Sequence, residues 1–369
     1  MNNIIGIYDG VDINYDENSL EDGIGGSESW VVYISEALAK IHNMHIFVYC
    51  NCEYHVHKRY HNIEFRPKKY FFESNLKYDA LIISRILSDE LLNKLKQSEC
   101  CHNIYLMAHD TILRRNNFYD NYLESQIKYD QFIHDNFLIK NVKKIFALSK
   151  WHKEYLISES HFPANLIELT AHGCNENLLN INNESKRDNN IFWTNAIYRN
   201  FDLLVNDIAP KIKDNIPDFK IYFSFYGELD ENYQDLINND YVINLGKLGK
   251  NDLYNEMIKH KCSFYPTIFA ETFCISCMEQ ALCDVQLVMP LRFGPATIFE
   301  PYKYQFMDEN IWFDSEEQIN NTVLQIINAN KTYYDEDKIL LRKSIKNYLI
   351  NKYNWDDIAL DLCKKMSLI

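Results

Sequence analysis

Residues 262–289 read CSFYPTIFAETFCISCMEQALCDVQLVM. Cys262–Tyr265 is an apolar run of strand character, Thr272–Leu282 carries a helical period, and Val285–Met289 is a second apolar run. Strand, helix and strand in close succession mark a parallel sheet with helices packed on its faces.

The alternation continues outward from this stretch. Upstream, Ile191–Thr194, Phe219–Tyr226 and Val242–Leu245 read as strands, with helices over Asn200–Lys213 and near Asn251–His260. Before them lies NENLLNINNESKRDNN (Asn175–Asn190), polar and with little to bury, which reads as an interdomain linker. Further back the pattern repeats. Ile4–Tyr8, His45–Cys50, Asp79–Ser84, Asn103–Ala108 and Lys144–Leu148 are predicted strands, with helices over Ser27–Ile41, Asp89–Gln97 and Trp151–Ser158. From about Ser315 the chain reads as helical. The expected architecture is α/β: two Rossmann-like domains (1–174 and 191–352) facing a central cleft, with ligands beyond the carboxyl ends of the strands.

Composition narrows the function. The chain has 369 residues, 47% of them hydrophobic and 24% charged, which is ordinary for a globular protein. Its formal net charge of −14 repels a phosphate backbone and argues against nucleic-acid binding. No apolar run approaches the roughly 20 residues that span a bilayer. The first run, Ile4–Tyr8, reads as a strand and not as a secretion signal. The ten cysteines are scattered, so reduced thiols in a cytoplasmic protein are expected. Cys274 and Cys277 have zinc-ligand spacing but sit in an apolar run, which favours packing thiols over a metal. His55-x-His57 lies in a polar stretch and carries little weight as a metal site, and Asp335-Glu336-Asp337 reads as an acidic first helical turn. Arg66–Phe72 (RPKKYFF) reads as a solvated loop beside a strand, with peripheral docking on anionic lipid as the alternative.

Four sites carry chemistry. Glu271 and Glu279 flank a predicted helix start, whose free N–H groups and dipole suit a diphosphate. Placed on one helix, they would lie about 12 Å apart along the axis, too far for a paired acid and base on one bond. That spacing suits two polyol groups on either side of a diphosphate; an amphipathic helix with a solvated Glu at each end is the other reading. Gly25 and Gly26, in IGGSE, open a helix after the first strand but lack the third glycine of a dinucleotide fingerprint, which disfavours a nicotinamide oxidoreductase. His109 ends a strand and points to the ligand end of the sheet, unless it is simply a core histidine. Arg199 offers a guanidinium fork for a leaving diphosphate, although an isolated Arg is more often at the surface. There is no P-loop and no nucleophile elbow.

Together these residues resemble the GT-B glycosyltransferases, in particular the retaining group called family 4. GGSE (Gly25–Glu28), AHDT (Ala108–Thr111), FALSKWHKEYL (Phe146–Leu156) with HGCNENLL (His172–Leu179), YRNFDLL (Tyr198–Leu204) and NLGKL (Asn244–Leu248) follow the family's order. YPTIFAETFCISCMEQAL (Tyr265–Leu282) is similar to its E-x7-E signature, and YNWDDIA (Tyr353–Ala359) to the start of a last helix, 353–369, that crosses back to the first domain. Three positions depart from the pattern. Cys274 stands where the family has glycine, Thr194-Asn195 where it has an arginine, and Leu282–Gln286 replaces its A-x-G-x-P-V turn.

The resemblance implies a retaining transfer of a sugar from a UDP- or GDP-linked donor to a glycan, lipid or other hydroxyl acceptor, with no metal or other cofactor. A catalytically weak glycan- or partner-binding subunit is the alternative. It implies Gly25 and Gly26 near the donor sugar and diphosphate, and His109 against the transferred sugar. Arg199 with the amides around Phe273, Cys274 and Ile275 would neutralise the diphosphate. Glu271 would hold sugar hydroxyls, Glu279 the ribose, and Lys247 and Leu248 the base, with Asn195 and Thr272 among the donor-binding residues.

Overall fold

The computed structural model describes residues 3–98, 100–115, 126–175, 178, 186–225, 227 and 231–369. The chain divides into two compact units. One comprises Met1–Leu20, Ile24–Gly173 and Tyr353–Ile369, the other Glu21–Gly23 and Cys174–Lys352. Each is an α/β unit built on a largely parallel sheet.

Among the described residues the first unit has eight strands: β1 (Asn3–Asp9), β2 (Met44–Cys50), β3 (His55–Val56), β4 (Ile63–Pro67), β5 (Ala80–Ser84), β6 (Ile104–Met107), β7 (Val142–Ala147) and β8 (Ile167–Leu169). Their order is β3-β4-β2-β1-β5-β6-β7-β8, and only the β3/β4 pair is antiparallel. β1 pairs with β2 in the register Asn3↔Met44 and with β5 in the register Ile5↔Ala80. Ile5, Ile7, Val48 and Ile82 are fully buried, as β-branched residues in a sheet covered on both faces should be. Helices α1 (Gly26–Ala39), α2 (Asp89–Gln97) and α3 (Lys150–Ser158) cover the sheet. Ser88 and Ser149 start the last two by accepting the backbone N–H groups of Leu91 and His152. The chain leaves β1 toward β2 on one side and returns to β5 on the other. That reversal opens a crevice at the carboxyl end of β1, where residues 25–28 and 85 lie.

The second unit repeats the plan with β9 (Asp188–Trp193), β10 (Ile221–Phe223), β11 (Val242–Asn244), β12 (His260–Phe264) and β13 (Gln286–Val288), all parallel, in the order β11-β10-β9-β12-β13. Its reversal falls between β9 and β12. Its labelled helices are α4 (Lys250–Met257), α5 (Ile275–Leu282), α6 (Phe293–Ile298), α7 (Glu316–Lys331) and α8 (Glu336–Lys352). The final helix, α9 (Trp355–Lys365), packs against α1 of the first unit. Leu362 and Cys363 are buried there, and Tyr105 Oη donates to Met366 O at 3.0 Å.

Several expectations change. The helix expected from Thr272 begins at Ile275, because Cys274 takes a left-handed conformation that a helix cannot include. Glu271 is therefore on a loop, and the 12 Å spacing along one helix does not apply. The helix expected over Asn200–Lys213 is a π-helical stretch, Leu203–Ile208, running into Ala209–Lys213; Pro210, near the junction, has no N–H to give an α-helical bond. Arg66–Phe72 is not a loop. It spans the end of β4 and a short helix, Lys68–Glu73, with Phe71 buried. In the expected linker, residues 176, 177 and 179–185 lie outside the described residues, as does Tyr226, while 188–190 already belong to β9. Among the described residues no helix is long and apolar enough to cross a membrane.

Candidate functional site

The reversal between β9 and β12 brings two loops of the second unit together. After β9, Trp193 Nε1 donates to Asn195 O at 2.7 Å and a turn follows, closed by Arg199 N to Ala196 O at 3.0 Å. After β12 come Tyr265 and the loop carrying Glu271. Arg199 is not at the surface as an isolated arginine. Its Nη1 donates to Glu271 Oε1, and its guanidinium lies 4.4 Å above the ring of Phe269. Tyr265 Oη donates to the same Glu271 oxygen at 2.7 Å. Burial works against the charge on Arg199, but Glu271 together with Tyr265, Cys274 and Tyr198 outweighs it and holds the pKa well above its usual value. Burial also pushes the Tyr265 phenol far up, and Glu271 adds to the effect, so Tyr265 stays a hydrogen-bond donor.

The loop from Glu271 to Cys274 rests on the start of α6. Gly294 N donates to Glu271 O at 2.8 Å, and a Cβ on Gly294 would lie 2.5 Å from Thr272 C and 2.6 Å from Phe273 N. Only glycine fits. Cys274 then caps α5 with φ 80° and ψ 77°, a conformation that costs a side-chain-bearing residue about 1 kcal/mol. Its Sγ lies 3.2 Å from Cys277 Sγ, but no third His, Cys, Asp or Glu joins them in a metal-binding group among the described residues. The Cys274 side chain makes no capping hydrogen bond to the first amides of α5, and a helix start of this kind suits an anion.

Helix α5 also ties in Asn195 and Thr194. Ser276 Oγ donates to Asn195 Oδ1 at 2.7 Å, and Gln280 Nε2 to Thr194 Oγ1 at 3.1 Å. One turn on, Glu279 is buried, and its Oε1 accepts from both Lys250 Nζ and Tyr254 Oη at 2.7 Å. It is not a solvated helix-end residue. Lys247 is exposed and Leu248 half-buried on the loop that leads through Gly249 into α4, the helix that supplies Lys250 and Tyr254. The second unit therefore gathers Arg199, Glu271, Thr272, Phe273, Cys274, Ile275, Asn195 and Glu279 around α5, with Lys247 and Leu248 on the loop before α4.

Gly25, Gly26 and His109 lie in the first unit. Gly25 precedes α1 with φ −66° and ψ 168°, which any residue adopts, so the backbone there does not require glycine. Arg85, at the end of β5, donates from Nη1 to Ser27 Oγ at 3.2 Å and from Nε to Asp110 Oδ2 at 3.1 Å, and pairs with buried Glu28 at 3.4 Å. His109 is buried edge-on against Trp30, ring centroids 5.4 Å apart, and 6.0 Å from the ring of His172. Burial, then the charges of Arg85 and His152, hold its pKa well below the usual value and keep the ring neutral. Asp9, at the end of β1, is buried. Burial and then Glu28 raise its pKa to about 7, against the Tyr15 hydroxyl that donates to it at 2.7 Å.

Sequence reading assigned no role to Tyr265, Lys250, Tyr254, Arg85 or Asp9. Tyr265 and Asp9 carry a usable signal, since both sit at strand carboxyl ends beside the sheet reversals. Lys250 and Tyr254 carry none.

No protein-family model matches the chain, and neither does any curated protein sequence. Solved structures do. Anabaena HepE in complex with UDP-glucose is 14% identical with a TM-score of 0.67, over 99% of this chain and 100% of that one. Sucrose-phosphate synthase from Thermosynechococcus elongatus is 13% identical with a TM-score of 0.66, over 99% and 98%. A glycosyltransferase from Rickettsia africae ESF-5 is 12% identical with a TM-score of 0.66, over 100% and 98%. At these identities the likeness is one of fold, and the fold is that of the GT-B glycosyltransferases, matched along essentially the whole chain.

Proposed function

We propose that this protein is a metal-independent retaining glycosyltransferase of the family 4 type, which moves a hexose from a UDP-linked donor to a hydroxyl acceptor. The observation that carries the reading is the Arg199–Glu271 pair beside the uncapped start of α5, at the sheet reversal of a GT-B fold. HepE, similar in fold, was solved with UDP-glucose, which favours UDP over GDP.

In this reading the second unit holds the donor. Arg199 and the amides at Phe273–Ile275 bind the diphosphate and stabilise the charge that grows on it as the bond from the anomeric carbon to the phosphate oxygen breaks. Glu271, fixed by Arg199 and Tyr265, accepts hydrogen bonds from sugar hydroxyls. Glu279 has Lys250 and Tyr254 on Oε1, and its other oxygen takes the ribose. Asn195 and Thr272 add contacts to the donor, and Lys247 and Leu248 border the base. From the first unit, Gly25 and Gly26 allow close backbone approach, and neutral His109 hydrogen-bonds the transferred sugar. The acceptor oxygen forms its bond to the anomeric carbon on the face the phosphate leaves, and its proton passes to the departing phosphate oxygen. Configuration is retained.

Calorimetry with UDP-glucose, UDP-N-acetylglucosamine and GDP-mannose, followed by hydrolysis assays, tests the proposal. Micromolar UDP-sugar binding with slow release of UDP supports it. A folded sample that binds none of the three refutes it.

A further inference from the structure

We propose that Asp16, Glu17 and His55 form a site for a zinc-class divalent cation on the first unit, separate from the donor-binding residues. The chain leaving β1 runs beside the end of β2, where Tyr15 N donates to Asn51 O at 3.0 Å. This sets Asp16 and Glu17 beside the start of β3, and one ligand atom from each of Asp16, Glu17 and His55 lies within 4.8 Å of the other two.

Each ligand is oriented as a metal ligand would be. His55 stacks on Phe65 with ring centroids 5.1 Å apart and planes 1° apart. Its Nδ1 lies 2.9 Å from Glu53 O, so an N–H there presents Nε2 as the coordinating atom. Nε2 lies 2.5 Å from Glu17 Oε2. The Glu17 side chain is only 7% exposed, yet its second oxygen, Oε1, is buried without a hydrogen-bond partner among the described residues. A buried carboxylate oxygen left unsatisfied is costly, and a cation bound by Glu17 supplies the missing partner. Asp16 is steered by Asn18 N, which donates to Oδ1 at 2.8 Å.

The donor set favours one class of ion. Two carboxylates and a neutral imidazole balance a 2+ charge, and the imidazole selects zinc-like ions over magnesium or calcium. Tetrahedral coordination needs the ligand atoms about 3.4 Å apart, so the 2.5 Å contact between His55 Nε2 and Glu17 Oε2 opens when the ion enters. The fourth position is left to water. Asp16 and Cys52 also line a cavity of about 620 Å³ that gives entry. Two ammonium groups on this face are engaged, Lys58 by Asn18 Oδ1 at 2.5 Å and Lys68 by Asp12 Oδ1 at 2.9 Å, and Lys69 Nζ lies over the Tyr70 ring. The ion would cross-link the segment after β1 to β3.

The test uses the full-length, untagged, reduced protein, stripped with EDTA and titrated with ZnCl2 in a calorimeter, with MgCl2 in parallel. One zinc per chain and no magnesium response are expected. The isosteric Glu17→Gln and Asp16→Asn variants, and His55→Ala, should each weaken zinc binding at least tenfold. Equal zinc affinity in wild type, Glu17→Gln and Asp16→Asn would place the metal on thiols elsewhere and overturn the proposal. Absence of stoichiometric zinc in the wild type would do the same. Neither result bears on UDP-sugar binding, which is measured separately.

Discussion

Arg199 and Glu271, 72 residues apart in sequence, form an ion pair across the sheet reversal of the second unit, with Tyr265 donating to the same carboxylate oxygen. The pair fixes a guanidinium at the place where the proposed diphosphate departs. Replacing Arg199 with Ala should reduce transfer at least 100-fold and lower stability by about 1–3 kcal/mol, because Glu271 keeps only Tyr265 as a partner. Adding Glu271→Gln should restore part of the stability and none of the activity. Urea unfolding and turnover of UDP-glucose on the two variants separate these effects.

Cys274 occupies a left-handed turn where glycine is free of strain. Cys274→Gly should stabilise the protein by about 0.5–1 kcal/mol, and β-branched Cys274→Val should destabilise it by more than that. Chemical unfolding midpoints check both. A destabilised glycine variant would mean that packing of the thiol outweighs the backbone term.

Gly294→Ala places a methyl group within 2.6 Å of the backbone of Thr272 and Phe273. The loop must shift to admit it. UDP affinity should fall at least tenfold by calorimetry, while the circular dichroism spectrum stays that of the wild type.

Asp9 makes stability depend on pH. Its carboxyl is held up to about 7 in the folded protein, against a value near 4 when unfolded, so the folded state binds the extra proton between those limits. Its stabilising contribution is complete below about pH 4 and is lost as pH rises toward about 7, with a slope of at most about 1.4 kcal/mol per pH unit. Asp9→Asn keeps the acceptor for Tyr15 and should flatten that slope and raise stability at pH 8. Urea unfolding from pH 4 to 8 on both proteins tests this.

Much of the fold was legible because its strands are short apolar runs between helical periods. β1, β2 and β5 are near-continuous apolar runs, as in a sheet covered on both faces, and serines mark the starts of α2 and α3. β3, β4 and β8 were missed: runs of two and three residues carry no period, and β4 (IEFRP) breaks its apolar positions with charged residues and ends in proline. The start of α5 was misplaced because helical periodicity does not register a single left-handed residue; the cysteine standing where a related motif has glycine was the available clue. The candidate site was legible as residue types, less so as partnerships. Arg199 reads as an isolated surface cation until the fold brings Glu271 to it. Glu279 reads as a solvated end residue until Lys250 and Tyr254, 29 and 25 residues away, close on it. Such pairings depend on strand order, which a local pattern does not contain.

Helix α9 gives the two units different histories during synthesis. Every residue of the second unit has been made by Lys352. The first unit, though begun earlier, lacks part of its interior until residues 353–369 arrive, and an incomplete unit leaves apolar surface exposed in the meantime. The first unit is thus closed by a segment made after the whole of the second, and a chain truncated before Trp355 should be the species that chaperones bind.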